Sequence, residues 1–231
     1  MGVLVLPLLL GPARLILAYS RVWIRGALWL LRITVGLTYE VRGSEHIAES
    51  PVLYAVKHQS AWDTLAINLL VRDGAIVLKR ELTWIPVFGW CLLKARQIPI
   101  DRDGGPSALR RMVAAAQARL RENRPLIIYP EGTRVAPGAA AAYHAGAAAL
   151  YGALDVPVVP VALNSGLFWP RRSLNLRPGK ITIEFLPALG PGLPRREFLD
   201  KLETAIESAT EKLIEDAVSR YDLHRSVADC G

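Results

Sequence analysis

The chain has 231 residues, 52% of them hydrophobic and 21% charged. That excludes a small disulfide scaffold and a disordered chain, and leaves material for one ordinary domain with an appendage. The net charge of +7 is uneven, at +4 over residues 1–39, +6 over 40–194 and −3 over 195–231, so the basic excess lies early and points to an anionic partner.

Residues 1–38 are strongly apolar, yet the longest run without a charged side chain is Met1 to Ala13. That falls short of the roughly 18–20 residues of a spanning helix. A helix is expected to open at Pro12 and run to about Thr34. At about 100° per residue, Arg14, Arg21, Arg25 and Arg32 fall within about 40° of one another, with Ile16, Trp23, Ala27 and Leu30 opposite. The reading favoured is a monotopic membrane anchor lying in the bilayer surface, with guanidinium groups reaching phosphate headgroups. The alternatives are an amphipathic helix packed on the core, a tilted span, and a signal peptide, for which the cationic n-region is missing. The chain is therefore divided into a membrane-anchoring segment, 1–38, and a main domain, 39–231.

From about residue 36, short β-branched runs alternate with helical stretches. Strands are expected at 37–42, 52–57, 75–79, 97–100, 126–129, 157–163 and 181–185, and helices at 61–71, 105–122, 143–153 and 195–220. In the last helix Leu199, Leu202, Ile206, Leu213 and Ala217 recur at helical spacing, which predicts packing rather than chemistry. The expected fold is α/β, with a central, mostly parallel or mixed sheet of about seven strands covered by helices. No G-x-S-x-G, G-x-x-x-x-G-K-[ST] or G-x-G-x-x-G occurs, so hydrolase-elbow, P-loop and dinucleotide-binding readings lack their defining loops. Cys91 and Cys230 form no C-x-x-C pair, so no disulfide framework or structural zinc is expected, and a reducing, cytosolic setting fits.

Four charged turns follow apolar strands. After VLYAVK comes HQSAWD, in which Ser60-x-x-Asp63 predicts a capping box. His58 then sits before the cap, and its ring can fold back onto the Asp63 carboxylate, which would fix the imidazole tautomer and stabilise the charged ring. After LIIY comes PEGTR. Gly132 permits a tight turn, Thr133 offers a hydroxyl and Arg134 a fork suited to phosphate. IPIDR, with Arg102, and KREL, with Lys79, end two further strands. Taken singly, each has a plainer reading as a capped helix, a surface turn or a solvated strand end. Both HQSAWD and PEGTR fall at the carboxyl ends of strands, where α/β sheets bind ligands.

Taken together, HQSAWD, KREL…IPVFGW, IPIDR, YPEGTR and VPVVPVAL occur in the order seen in the glycerolipid acyltransferases, and the chain resembles the bacterial-type lysophosphatidic acid acyltransferases. The resemblance covers roughly residues 35–190. It implies that His58 is the general base for the sn-2 hydroxyl of 1-acylglycerol 3-phosphate, with Asp63 orienting it, and that phosphatidic acid is the product. It implies that Glu131, Gly132, Thr133, Arg134 and Arg102 bind the acceptor's phosphate, with Lys79 in the same pocket. The co-substrate would be acyl-CoA or an acyl carrier protein, and neither cofactor nor metal is expected. Two departures stand out: His144 lies where the family often has Lys, and Val135 follows Arg134 where Ser is frequent.

The uncharged run 82–93 carries Trp84, Phe88 and Trp90, read either as acyl-chain or membrane contacts or as core. The segment 167–172 (LFWPRR) reads as an interfacial loop with its aromatics turned inward, or as a plain surface loop. Expected partners are a phospholipid surface, lysophosphatidic acid and the acyl donor, with no nucleic acid, and the expected location is the cytoplasmic face of the cytoplasmic membrane. The rival readings are the same chemistry on glycerol 3-phosphate or another lysolipid, a non-catalytic membrane-binding protein, and a nucleic-acid binder, for which no module is present.

Overall fold

The computed structural model describes residues 5–48 and 51–222. Its strands are β1 (Leu37–Arg42), β2 (Leu53–Val56), β3 (Ala75–Lys79), β4 (Ile98–Ile100), β5 (Leu126–Ile128), β6 (Val158–Leu163) and β7 (Gly179–Phe185). They form one sheet in the order β1-β7-β6-β2-β5-β3-β4. From β6 to β4 every pairing is parallel; β7 runs antiparallel to β6 and carries β1 parallel to itself at the edge. The sheet is thus mixed and seven-stranded, as the sequence implies.

The helices are α1 (Ala13–Val35), α2 (Ala61–Leu70), α3 (Phe88–Lys94), α4 (Gly105–Arg121), α5 (Ala145–Leu154) and α6 (Arg195–Tyr221). Five of the six agree closely with expectation. The exception is α3, whose seven residues are too few to show a helical period. It follows Val87, which takes the left-handed φ of 65°.

The central strands β2, β5 and β6 are buried at every position, as their unbroken apolar runs require of strands covered on both faces. Period-two alternation divides them between two cores. Tyr54 and Val56 face a cluster that includes Trp62, Ile127 and Ile183, together with Ile24 and Leu28 of α1. Leu53 and Ala55 face Met112, Leu150, Phe198 and Ile206 from α4, α5 and α6. Helix α6 contributes to both cores, Leu202 and Ile206 to one and Ile214 and Ala217 to the other. Pro160 is tolerated inside β6 because its nitrogen faces the β7 side where that ladder ends, and Leu186 N–H still donates to its carbonyl at 2.9 Å.

The inner face of α1 is therefore part of the main core, and Ile16 joins it to α3 through a smaller cluster with Val5 and Ala95. The remainder of α1 is not buried. Leu15, Val22, Trp29, Leu30 and Ile33 are exposed large apolar residues. At about 100° per residue they lie about 60–160° round the helix from Arg14, on the far side of the arginine stripe from the core. Among the described residues no helix is long and apolar enough to cross a membrane. In the segment 167–172, Leu167 and Phe168 are fully buried, Phe168 packing edge-on against Tyr221 at 5.5 Å, while Arg171 and Arg172 are exposed. Cys91 is partly buried and its thiol pKa is raised by that burial; Cys230 lies outside the described residues.

Candidate active site

Strand β2 delivers His58 two residues past its end, and α2 delivers Asp63 from its first turn. The predicted capping box is formed: Ser60 Oγ accepts from Trp62 N–H at 3.2 Å, and Asp63 Oδ2 accepts from Ser60 N–H at 2.8 Å. The same oxygen accepts from Gln59 N–H at 2.7 Å and lies 3.0 Å from His58 Nδ1. The cap thus aims a fully buried carboxylate at the imidazole. With that carboxylate as acceptor, the contact suits the imidazole tautomer that is protonated at Nδ1, in which Nε2 is the acceptor nitrogen.

The 129–135 turn holds the histidine from the other side. Tyr129, at the end of β5, stacks on the His58 ring with centroids 4.1 Å apart. Glu131 Oε2 accepts His58 N–H at 2.9 Å, and Val135 N–H donates to the His58 carbonyl at 2.8 Å. Gly132 takes φ 65°, and a Cβ there would lie 2.7 Å from the His144 ring. A left-handed backbone and a close aromatic neighbour both require glycine at this point.

Glu131 faces Lys57 and lies off the walls of the cavity onto which His58 opens. It is 1% exposed and paired with Lys57, whose Nζ lies 2.6 Å from its Oε1. Lys57 continues the Leu53/Ala55 row of β2 away from the His58 side. Its Nζ also meets both carboxylate oxygens of Glu207 on α6 at 2.8 Å, and Tyr143 donates to Glu207 at 2.8 Å. Burial pushes the Glu131 pKa up, Lys57 pulls it back, and the nearby Glu207 charge adds to the rise. Tyr129 and Tyr143 are both held well above the usual phenol range, first by burial and then by neighbouring carboxylates, Asp63 for Tyr129 and Glu207 for Tyr143.

His58 opens onto a cavity of about 1080 Å³ whose walls are mostly apolar. Of the residues singled out in the sequence, Trp23, Lys79, Phe88, Arg102 and Gly132 line it with His58; His144 lines it too. Thr133, Arg134, Trp84 and Trp90 lie off its walls. Arg134 is half-buried, and Trp84 and Trp90 are exposed, with the Arg80 guanidinium 5.6 Å above the Trp84 ring. Lys79 lies 3.5 Å from Glu81, whereas neither Arg102 nor Arg134 has an ion pair among the described residues. Also among the described residues, no group of three or more His, Cys, Asp and Glu side chains is placed to hold a metal ion. Of the anchor arginines, Arg21 is paired with Asp73 at 3.1 Å, while Arg14, Arg25 and Arg32 are exposed.

Lys57, Tyr143, Ser165 and Glu207 lie outside the motifs that the sequence singles out, and Gln59 and Tyr129 lie within them without an expected role. Only Lys57 carried a local signal, as a lone charge directly after a fully apolar strand.

Residues 38–164 match the acyltransferase family profile. The chain is 38% identical over 167 residues to a 1-acyl-sn-glycerol-3-phosphate acyltransferase of Pseudomonas aeruginosa, covering 72% of this chain and 65% of the relative. It is 31% identical over 156 residues to the enzyme of that name from Limnanthes alba, covering 67% and 55%. The chain thus spans between about half and two thirds of the length of these curated relatives. The crystal structure of the 1-acyl-sn-glycerophosphate (LPA) acyltransferase PlsC from Thermotoga maritima superposes with a TM-score of 0.71 at 23% identity, covering 87% of this chain and 80% of that one. That likeness establishes a shared fold.

Proposed function

The chain belongs to the acyltransferase family, and from that premise we propose that it transfers a fatty acyl group from a thioester to the sn-2 hydroxyl of 1-acylglycerol 3-phosphate, yielding phosphatidic acid and a free thiol. The observation that carries this reading is the 3.0 Å contact between His58 Nδ1 and the buried Asp63 carboxylate at the mouth of a large apolar cavity. His58 Nε2 takes the proton from the hydroxyl as its oxygen attacks the thioester carbonyl, and Asp63 offsets the charge of the imidazolium. The tetrahedral intermediate collapses, the carbon–sulfur bond breaks, and the departing sulfur takes the proton back from His58. No covalent acyl-enzyme is needed, and the proposal calls for no cofactor beyond the acyl donor, acyl-CoA or acyl carrier protein.

Lys79, Arg102 and Arg134 supply positive charge for the acceptor's phosphate, and the apolar walls, Phe88 among them, take an acyl chain. Glu131 supports His58 rather than the phosphate. The exposed apolar face of α1, with Arg14, Arg25 and Arg32 along one flank, suits a helix seated in a phospholipid surface and supports a membrane-bound enzyme, for which we propose the cytoplasmic face. Trp84 and Trp90 are exposed aromatics as well, which suits the same kind of surface.

Acceptor competition tests the substrate. Lysophosphatidic acid is expected to outcompete glycerol 3-phosphate and lysophosphatidylcholine. Replacing Arg102 with Ala is expected to raise KM for lysophosphatidic acid roughly 10-fold or more, as loss of a charged hydrogen bond does. Equal use of all three acceptors, or an unchanged KM, would point to another acceptor.

A further inference from the structure

Asp63 has two oxygens, and they are treated differently. Oδ2 receives three donors, from Gln59 N–H, Ser60 N–H and His58 Nδ1. Oδ1 receives one, the hydroxyl of Ser165, at 2.5 Å. Ser165 is 102 residues away in sequence, fully buried, and one residue beyond the stretch that matches the family profile. We propose that Ser165 is a positioning residue for the His58–Asp63 pair, fixing the carboxylate plane so that Oδ2 stays on His58 Nδ1 while the imidazole takes up its proton. The inference rests on the acyltransferase reading of the site.

The turn that carries Ser165 is built to hold it. Ser165–Leu167 form a short 3-10 turn directly after β6. The preceding Asn164 is fully engaged: its amide nitrogen donates to the Leu213 carbonyl of α6 at 3.0 Å, and its oxygen accepts from Thr182 N–H of β7 at 2.9 Å. The following Gly166 donates its N–H to Gln59 Oε1 at 3.0 Å, and a Cβ on Gly166 would come within 3.0 Å of Pro137 and Gln59. The turn is thus clamped by α6 and β7 and grips the catalytic turn at two points, Asp63 and Gln59. Such outer hydrogen bonds matter because a reacting group loses rate when it drifts from its geometry, even where substrate binding is untouched.

Ser165 keeps its proton throughout. It is enclosed and its hydroxyl is committed to Asp63, so it is not a nucleophile. Without it, Oδ1 has no donor among the described residues, and the carboxylate plane is held through Oδ2 alone.

The test compares wild type, Ser165→Ala, Asp63→Asn and the double variant in thioester turnover, after thermal melting has shown that each is folded. Ser165→Ala is expected to lower kcat about 10-fold, a part of what a positioned base contributes, with KM for lysophosphatidic acid within about 2-fold of wild type. In the Asp63→Asn background, Ser165→Ala is expected to cost nothing further, because the two act as one unit. If Ser165→Ala does not fold, Ser165→Cys, a close match in volume but a weak donor, is read in the same way. A second arm needs no turnover: the downfield Nδ1–H proton resonance of His58, assigned by its loss in His58→Ala, is expected to move in Ser165→Ala. It keeps the proposal testable even if no acyl transfer is found. An unmoved resonance, an unchanged kcat, or an equal loss of kcat in the wild-type and Asp63→Asn backgrounds would overturn the proposal.

Discussion

Lys57 brings one positive charge into a buried space where two carboxylates meet it, Glu131 at 2.6 Å and Glu207 at 2.8 Å. Breaking a buried pair costs more than the pair contributes, because the remaining charge has no water to return to. Lys57→Met is therefore expected to destabilise the fold by about 3–5 kcal/mol in chemical denaturation, whereas replacing Lys57 and Glu131 together is expected to cost much less. Glu131 also sets a pH dependence. Its folded pKa lies above the ordinary 4.5, chiefly through burial, so the folded chain holds that proton to higher pH than the unfolded chain. Its contribution is fullest below 4.5 and is lost as pH rises through the raised folded value. The stability difference between wild type and Glu131→Gln should fall across that window, and a flat difference would contradict the assignment. The residue scale is also where the sequence was least legible. His58 and Asp63 stand five apart and announce themselves through the cap, but Lys57 meets Glu207 across 150 positions and Asp63 meets Ser165 across 102. Local spacing carries no signal for such contacts, and the Glu131–Lys57 pair, 74 positions apart, is another of them.

Helix α1 shows how an element can serve two surfaces. Ile16, Ile24 and Leu28 turn into the protein, while Val22, Trp29 and Ile33 turn outward at 67%, 62% and 56% exposure. The helical wheel revealed the arginine stripe but could not divide the apolar remainder between core and exterior, because both demand the same residue types. Burial of one large apolar side chain is worth roughly 1.5–3 kcal/mol. Replacing Val22, Trp29 and Ile33 with Ser is therefore expected to weaken binding to anionic phospholipid vesicles by roughly 100-fold or more while leaving the melting temperature nearly unchanged. Unaltered vesicle binding would remove α1 from the membrane contact. A large loss of stability would mean that the outer face is structural. The short α3 escaped the sequence reading because Trp84, Phe88 and Trp90 sit in a run where turn and helix each occupy only a few residues.

For the whole molecule, the parallel core of the sheet gathers the chemistry at one end. β2 ends just before His58, β5 at the turn that grips it, and β3 and β4 at Lys79 and near Arg102. This arrangement was legible because the runs LYAV, LII and VVPVAL are apolar at every position, which only a sheet covered on both faces tolerates. The antiparallel entry of β7 and the edge position of β1 were not, since strand direction leaves no mark in an apolar run. The proposed acyl transfer depends on His58 as its base. The most direct measurement incubates the protein and its His58→Ala variant in lipid vesicles with lysophosphatidic acid and palmitoyl-CoA, following free thiol and phosphatidic acid together. The account predicts equal amounts of both products from the wild type and a loss of at least about 100-fold in the folded variant. Matching production of phosphatidic acid by His58→Ala would contradict it.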